Sequence, residues 1–435
     1  MRVLFCCQFY APSVGGVQEV VRQLAERLVT RGHQVTVATT KLPNRDFETL
    51  NGVSIKEFAV TGNLAGGMSG EIDSYQKFVR GGDFDVMLVY AAQQWTFDAL
   101  WPILDAIPCA KVLVPCGFSG LYEPGYASYF QALPDILRKF EHLVFHASRY
   151  RDIDFARAHG IGSYSVIPNG ASEEVFNVPA DPSFRSRHDI PEHSFLFLTV
   201  GSFTGLKGHL EVTRAFAQMK LPPGRHATLM LNGNKVQVLD SSVRGLLAKF
   251  RALIRTHGLS HAVRRLWKRQ FGASDSPVKV AKEINKSQLN KQVVVTDLER
   301  AELTQAFMAT DLFVFASNIE YSPLVLFECA AAGTPFVAAD VGNAEEIARW
   351  TGAGLSCPSH VDSKGYTRVD EAALARLMGD LMEQGATLTA LGEAGRRNWL
   401  GRFTWGKIAI QYEQLFEGLC KLHAAPSERM SVERI

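Results

Sequence analysis

A short unbroken apolar run, Val3-Leu4-Phe5-Cys6-Cys7, and the pattern behind it leave this chain few folds to choose from. Residues 2–7 read as a buried strand. The loop from Gln8 to Gly16 carries Pro12, Gly15 and Gly16, and Val17, Val20, Val21, Leu24 and Leu28 then recur at helical spacing. Gly32-His33 ends that helix, and residues 34–40 read as the next strand. Strand, helix, strand is a βαβ unit, the opening of a doubly wound α/β domain.

The pattern repeats. Strands are expected at 85–90, 111–115 and 143–147, and Ser165-Val166-Ile167-Pro168-Asn169-Gly170 reads as the last strand and turn of this half. Residues 177–194 are polar and hold Pro179, Pro182 and Pro191, which marks a linker. A second α/β half follows, with strands expected at 195–200, 227–231, 292–295, 312–316 and 336–339. At 435 residues, 46% hydrophobic and 21% charged, the chain has the size of two or three domains and the composition of a globular enzyme. The expected architecture is two doubly wound Rossmann-like domains facing a cleft. The first spans 1–178 and the second 179–404, followed by a helix over 405–423 and a frayed tail over 424–435.

One stretch fits no α/β repeat. From Lys235 to Gln292 there are 13 Lys/Arg and 3 Asp/Glu, which reads as a basic helical insertion over 235–292. Val243, Leu246, Leu247, Phe250, Leu253 and Ile254 make one apolar stripe; Ala262, Val263, Leu266 and Trp267 make another. Basic residues such as Arg264, Arg265, Lys268 and Arg269 are interleaved, giving a basic amphipathic helix pair over 243–269. Three readings stay open: an anionic membrane surface, a protein partner, or a solvated insertion packed on the second domain. No nucleic-acid partner is expected, because no recognisable nucleic-acid fold accompanies the charge.

The formal net charge of +2 implies no partner by itself. The seven cysteines form no CxxC pair and read as free thiols of a reducing compartment. No apolar run is long enough to span a bilayer, and the N-terminal run is too short for a signal sequence. The expectation is a cytoplasmic protein, with a peripheral place at the inner face of the membrane if the basic helices bind lipid.

Three constellations carry chemistry. Pro12-Ser13-Val14-Gly15-Gly16-Val17 would let backbone approach a ligand at a helix start, although it is not the G-x-G-x-x-G of a dinucleotide site. Gly201-Ser202-Phe203-Thr204-Gly205-Leu206-Lys207-Gly208 follows a strand and precedes a helix, so Lys207 can set a charge on a phosphate. The third runs from Ser317 to Pro335. Pro323 suits a first helical position, and Gly333 with Pro335 reads as the helix stop. The N–H groups around Ser322, Leu324 and Val325 then form an anion site, with Glu320 before it and Glu328 a turn beyond. An anion flanked by two acceptor-only side chains has the shape of a nucleotide sugar; on spacing alone, two solvated acids are the alternative.

In this order and spacing the segments resemble the family-4 retaining glycosyltransferases of the two-domain GT-B fold. Gly15-Gly16 matches the family's N-terminal glycine loop, Ile167-Pro168-Asn169-Gly170 with Phe176 its "I-P-N-G…F", and Lys207-Gly208 its "K-G". Glu320 and Glu328 match its E-x7-E. Gly342-Asn343 with Glu345 and Glu346 is similar to its "G-G-x-x-E", and Phe403-Thr404-Trp405 to the "F-S-W" before a last helix that crosses back to the first domain. The resemblance makes the first domain acceptor-side and the second the nucleotide-sugar binder. It implies that Glu328 holds the donor ribose, Glu320 contacts the transferred sugar and Lys207 neutralises the diphosphate. The N–H groups of Leu324 and Val325 would hold the distal phosphate, while Gly15 and Gly16 close the cleft. It also implies retention of configuration, no metal and no cofactor beyond the nucleotide-diphosphate sugar as co-substrate.

Two positions depart from the family pattern. Ser202 stands where the family usually has Arg, and Cys116 where it commonly has His near the sugar. An inert thiol is the expectation for Cys116. Tyr122, Tyr126, Tyr129 and Phe130 would stack on an acceptor sugar or simply pack. The function implied is a metal-independent retaining hexosyltransferase, with a glycan or lipid-linked saccharide acceptor, in cell-surface polysaccharide or lipopolysaccharide synthesis. The alternatives are another GT-B enzyme such as a nucleotide-sugar epimerase, or a non-catalytic nucleotide-sugar-binding scaffold subunit.

Overall fold

The computed structural model describes residues 1–233 and 276–424. They form two compact units, one from Met1–Glu173 together with the chain from Arg402 onward, the other from Glu174–Gly401.

The first unit begins with β1 (Arg2–Cys7), β2 (Gln34–Thr40), β3 (Thr49–Leu50) and β4 (Val53–Phe58). A separate antiparallel hairpin, β5 (Val60–Asn63) and β6 (Gly67–Gly70), precedes β7 (Val86–Tyr90), β8 (Ala110–Val114), β9 (His142–Phe145) and β10 (Tyr164–Val166). The main sheet runs β10-β9-β8-β7-β1-β2-β4-β3 and is parallel except at the β3–β4 pair. β7 and β8 are buried along their whole length and β1 at all but its first residue. Helices cover both faces of such a sheet, which is why these segments are continuous apolar runs rather than alternating ones.

Helix Gly16–Thr30 buries Val20, Val21, Leu24 and Leu28 against this sheet. It stops where Gly32 turns to φ +89° and the His33 amide bonds back to the Leu28 carbonyl at 3.0 Å. Helix Trp405–Ala424 lies against it and buries Trp405, Ile408, Ala409, Tyr412 and Phe416 along one face. Glu413 on that helix accepts from Arg31 Nε at 2.6 Å and pairs with His33 Nε2 at 2.7 Å.

The second unit holds β11 (Ser194–Val200), β12 (His226–Asn232), β13 (Lys291–Thr296), β14 (Leu312–Phe315), β15 (Phe336–Ala339) and β16 (Gly354–Cys357). They form one parallel sheet ordered β13-β12-β11-β14-β15-β16. A small hairpin, β17 (Ser359–Val361) and β18 (Thr367–Val369), follows. The build direction reverses between β11 and β14, and the crevice outside the carboxyl ends of strands at such a reversal is where ligands of open α/β sheets collect.

Several expectations change. The basic insertion read over 235–292 is too long, because its end belongs to the sheet layer. Pro277–Ser287 is a helix packed on β13 and on helix His209–Gln218, and β13 begins at Lys291. The signal for this end was the N-cap: the Ser276 hydroxyl accepts the Lys279 amide at 3.2 Å, with Pro277 at the first helical position. The amphipathic pair at 243–269, like Lys235, lies outside the described residues. The glycine-rich stretch 64–70, for which no strand is expected above, forms the turn and second strand of the β5–β6 hairpin. Pro323 is the N-cap rather than the first residue of its helix. No helix among the described residues is long and apolar enough to cross a membrane.

Candidate functional site

In the second unit the predicted residues converge on the carboxyl ends of β11 and β14. The loop after β11 carries Gly201, Ser202 and Lys207. Its glycines have steric reasons: a Cβ on Gly208, at φ +74°, would sit 2.1 Å from the Ala316 carbonyl oxygen. That close approach docks the loop onto the one after β14. The Asn318 amide and the Ser317 hydroxyl both donate to the Leu206 carbonyl, at 2.8 and 3.1 Å.

Lys207 and Glu320 meet as a result. Lys207 Nζ donates to Glu320 Oε1 at 2.6 Å, and the Ser317 hydroxyl donates to the same oxygen at 3.0 Å. Both charged side chains are partly buried. Behind them, Gly342 at φ +62° lets the next loop pass close by, since a Cβ there would lie 2.3 Å from the Tyr321 carbonyl oxygen. The Asn343 amide bonds that carbonyl at 2.9 Å.

Helix Leu324–Ala332 starts directly after this point, with Pro323 as N-cap and Gly333 at φ +75° as its stop. The first amides of a helix lack partners within it and carry the positive end of its dipole, so Ser322, Leu324 and Val325 stand at an anion-favouring position. Glu328 lies one turn in and is only 8% exposed. Arg300, the first residue of helix Arg300–Ala309, holds its Oε1 at 2.6 Å and also lies over the Phe176 ring at 5.7 Å. Nothing in the sequence pattern pointed to Arg300, which is separated from Glu328 by β14 and its loop. Ser202 brings no cation to the crevice; its carbonyl accepts the Thr204 amide at 2.7 Å.

The first unit holds the remaining predicted residues at the carboxyl ends of its own strands. Gly15 and Gly16 follow β1. Gly15 is extended (φ 175°), a Cβ on Gly16 would meet nothing within 4 Å among the described residues, and one on Gly15 would meet the flexible end of Gln18. The fold of this unit therefore does not require either glycine.

Cys116 follows β8 and opens a run of three left-handed residues, Cys116, Gly117 and Phe118, at φ 63°, 92° and 47°. The wholly buried Asp152 carboxylate holds this turn by accepting the Gly117 amide at 2.8 Å. Burial pushes the Cys116 thiol up to about 12, so it stays protonated at neutral pH. Tyr122 is 74% exposed, with the Arg151 guanidinium 5.3 Å from its ring centre. Tyr129 is core instead: its hydroxyl donates to Asp98 at 2.7 Å and accepts the Gln93 amide at 2.9 Å. His146 is structural. It bonds Tyr90 and the Ile167 carbonyl at 2.6 and 2.8 Å, and burial pulls it down to about 4.

Comparison with known proteins gives the following. A family model described as glycosyl transferases group 1 matches residues 181–398. The alpha-maltose-1-phosphate synthase of Mycobacterium tuberculosis is 29% identical over 157 residues, 34% of this chain and 39% of that protein. D-inositol 3-phosphate glycosyltransferase 1 of Catenulispora acidiphila is 26% identical over 260 residues, 59% of this chain and 52% of that protein. This chain thus matches only 31–52% of the length of such relatives. Among solved structures, sucrose-phosphate synthase from Thermosynechococcus elongatus aligns with a TM-score of 0.68 at 19% identity, covering 97% of this chain and 99% of that one. Anabaena HepE in complex with UDP-glucose aligns with a TM-score of 0.64 at 15% identity, covering 96% and 100%. At such identities the likeness is one of fold, and that fold is GT-B.

Proposed function

This chain belongs to the glycosyl transferases group 1, and on that premise we propose that it moves a sugar from a nucleotide-diphosphate sugar to an acceptor hydroxyl, with retention and without a metal. One observation carries the reading: Lys207, Glu320, Glu328 and the start of helix Leu324–Ala332 all stand at the β11–β14 reversal. The UDP and UDP-glucose held by the HepE structures support a nucleotide-sugar donor.

The roles follow from charge and geometry. Glu328 accepts from the ribose hydroxyls. The amides of Ser322, Leu324 and Val325 and the Lys207 ammonium take the diphosphate, where negative charge grows as the donor breaks. Glu320 contacts the sugar. The bond from the anomeric carbon to the phosphate oxygen breaks, and a bond to the acceptor oxygen forms on the same face. The acceptor proton passes to the departing phosphate oxygen. Gly15 and Gly16 leave backbone bare for the donor, and Tyr122 offers a ring to an acceptor sugar. The acceptor is a glycan or lipid-linked saccharide of a cell-surface polymer, met at the inner face of a membrane.

The test uses the purified protein with a panel of UDP- and GDP-sugars, first by thermal shift and then by nucleoside diphosphate release with candidate acceptors. Acceptor-dependent release that is lost in Glu320→Ala supports the proposal. Binding without release, unchanged by that substitution, makes the chain a nucleotide-sugar-binding scaffold. Sugar isomerisation without acceptor makes it an epimerase.

A further inference from the structure

Arg45 has no part in the roles above, yet its side chain has no solvent exposure at all. It follows β2, and its guanidinium spends its rigid fork of donors on backbone. Nε donates to the Ala11 carbonyl at 2.7 Å, Nη2 to the Tyr10 carbonyl at 3.1 Å and Nη1 to the Thr40 carbonyl at 3.0 Å. Nη1 also pairs with Glu57 of β4, whose carboxylate accepts the Leu42 amide at 3.0 Å.

Neighbours extend the brace. The Thr39 hydroxyl and the Thr40 amide both donate to the Gln8 carbonyl, at 3.2 and 3.1 Å. The Trp95 indole donates to the Thr40 hydroxyl at 2.8 Å. The carbonyls of Gln8, Tyr10 and Ala11 are the root of the glycine loop, and all three are held from the end of β2. The tip is different: Pro12 and Gly16 are exposed, and Val14 is 95% exposed.

Burying a guanidinium is unfavourable unless every donor is matched, and an apolar side chain would fill the space with less desolvation. An apolar group could not fix the direction of three carbonyls. We propose that Arg45 is a positioning residue of the transfer site, fixing the root of the glycine loop so that Gly15 and Gly16 stand ready for the donor. This rests on the reading of that loop as part of the donor site.

Hydrogen–deuterium exchange tests it in the wild type, Arg45→Lys and Arg45→Ala. The reporting peptide covers residues 8–19, where the Ser13 and Glu19 amides bond the Tyr10 and Gly15 carbonyls at 3.1 and 3.0 Å. Exchange there is expected to rise at least about tenfold in both variants while β7 and β8 keep wild-type rates. With the nucleotide sugar that the wild type turns over fastest, release of nucleoside diphosphate is expected to fall at least about tenfold. Binding of that nucleoside diphosphate, measured by calorimetry, stays within about twofold, because its contacts lie in the second unit.

Arg45→Lys keeps the charge beside Glu57 without the fork, so it is the arm that preserves folding. Unchanged exchange over 8–19, faster exchange spread equally over β7 and β8, or near-wild-type release in folded Arg45→Lys overturns the proposal. A wild type that releases nothing from any nucleotide sugar refutes the transferase reading instead, and the exchange arm still decides whether Arg45 holds the loop.

Discussion

Lys207 Nζ lies 2.6 Å from Glu320 Oε1, so the cation assigned to the donor phosphate is already held by the carboxylate assigned to the donor sugar. An incoming diphosphate must compete with Glu320 for that ammonium. Glu320→Gln removes the competing charge and keeps the shape. It should bind nucleoside diphosphate more tightly, by a few-fold given a pair worth about 1 kcal/mol when partly solvated. Turnover should nevertheless fall by about a hundredfold or more. Lys207→Ala should weaken diphosphate binding by roughly 10–100-fold, the loss of one charge-assisted bond. Calorimetry and a release assay read both, and an affinity lowered by Glu320→Gln would refute the competition.

Arg300 holds Glu328 at 2.6 Å, which fixes the carboxylate's direction before any ribose arrives. Glu328→Gln should raise the donor KM about tenfold or more with little change in kcat, since the proposed ribose contact would be the same in ground and transition states. Arg300→Ala should raise it by less. Equal falls in kcat and kcat/KM for Glu328→Gln would place this carboxylate in the chemical step instead.

Gly16 allows what folding needs to be tested apart from what the proposed transfer needs. Among the described residues nothing stands within 4 Å of where its Cβ would be, and it begins a helix. Gly16→Ala should leave the melting temperature unchanged or raise stability by up to about 1 kcal/mol. The same protein should lose at least about tenfold in turnover if a ligand uses that space. Full activity would mean that it does not.

His146 and Asp98 give the first unit two opposed pH dependences. Burial lowers His146 from 6.5 to about 4, so its stabilisation is complete above pH 6.5 and is lost as pH falls toward 4. Burial raises Asp98 from 3.8 to about 6, so its contribution is complete below pH 3.8 and is lost as pH rises through 6. Each amounts to about 3 kcal/mol, and the two slopes oppose each other between pH 4 and 6. Asp98→Asn should steepen acid destabilisation across that window, and His146→Gln should flatten or reverse it. Melting temperatures from pH 3.5 to 7 check both directions.

Much of this was legible because parallel sheets demand continuous apolar strands. Val3–Cys7, Val86–Tyr90 and Phe195–Val200 could hardly be anything else. Lys207 was legible because its loop carries glycines such as Gly208, and Glu320 because it stands between a strand and a helix start marked by Pro323. Arg300 and Arg45 were not, because each acts across the fold on an element distant in sequence. The β5–β6 hairpin was missed because Gly62, Gly67 and Gly70 break up its sequence, leaving only Val60 and Thr61 as β-branched side chains of the kind that mark a strand. The end of the basic stretch was misread because charge composition outweighed the capping signal at Ser276-Pro277.

The path of the chain has a consequence for synthesis. The first unit is made from both arms of the sequence, with helix Trp405–Ala424 seated on helix Gly16–Thr30. On the ribosome its sheet emerges early but stays uncovered along that helix until the second unit has been translated. The contiguous second unit can finish first, and the earlier-born unit waits for its last helix. A chain cut short near residue 400 would therefore lose the packing of the half it had already made.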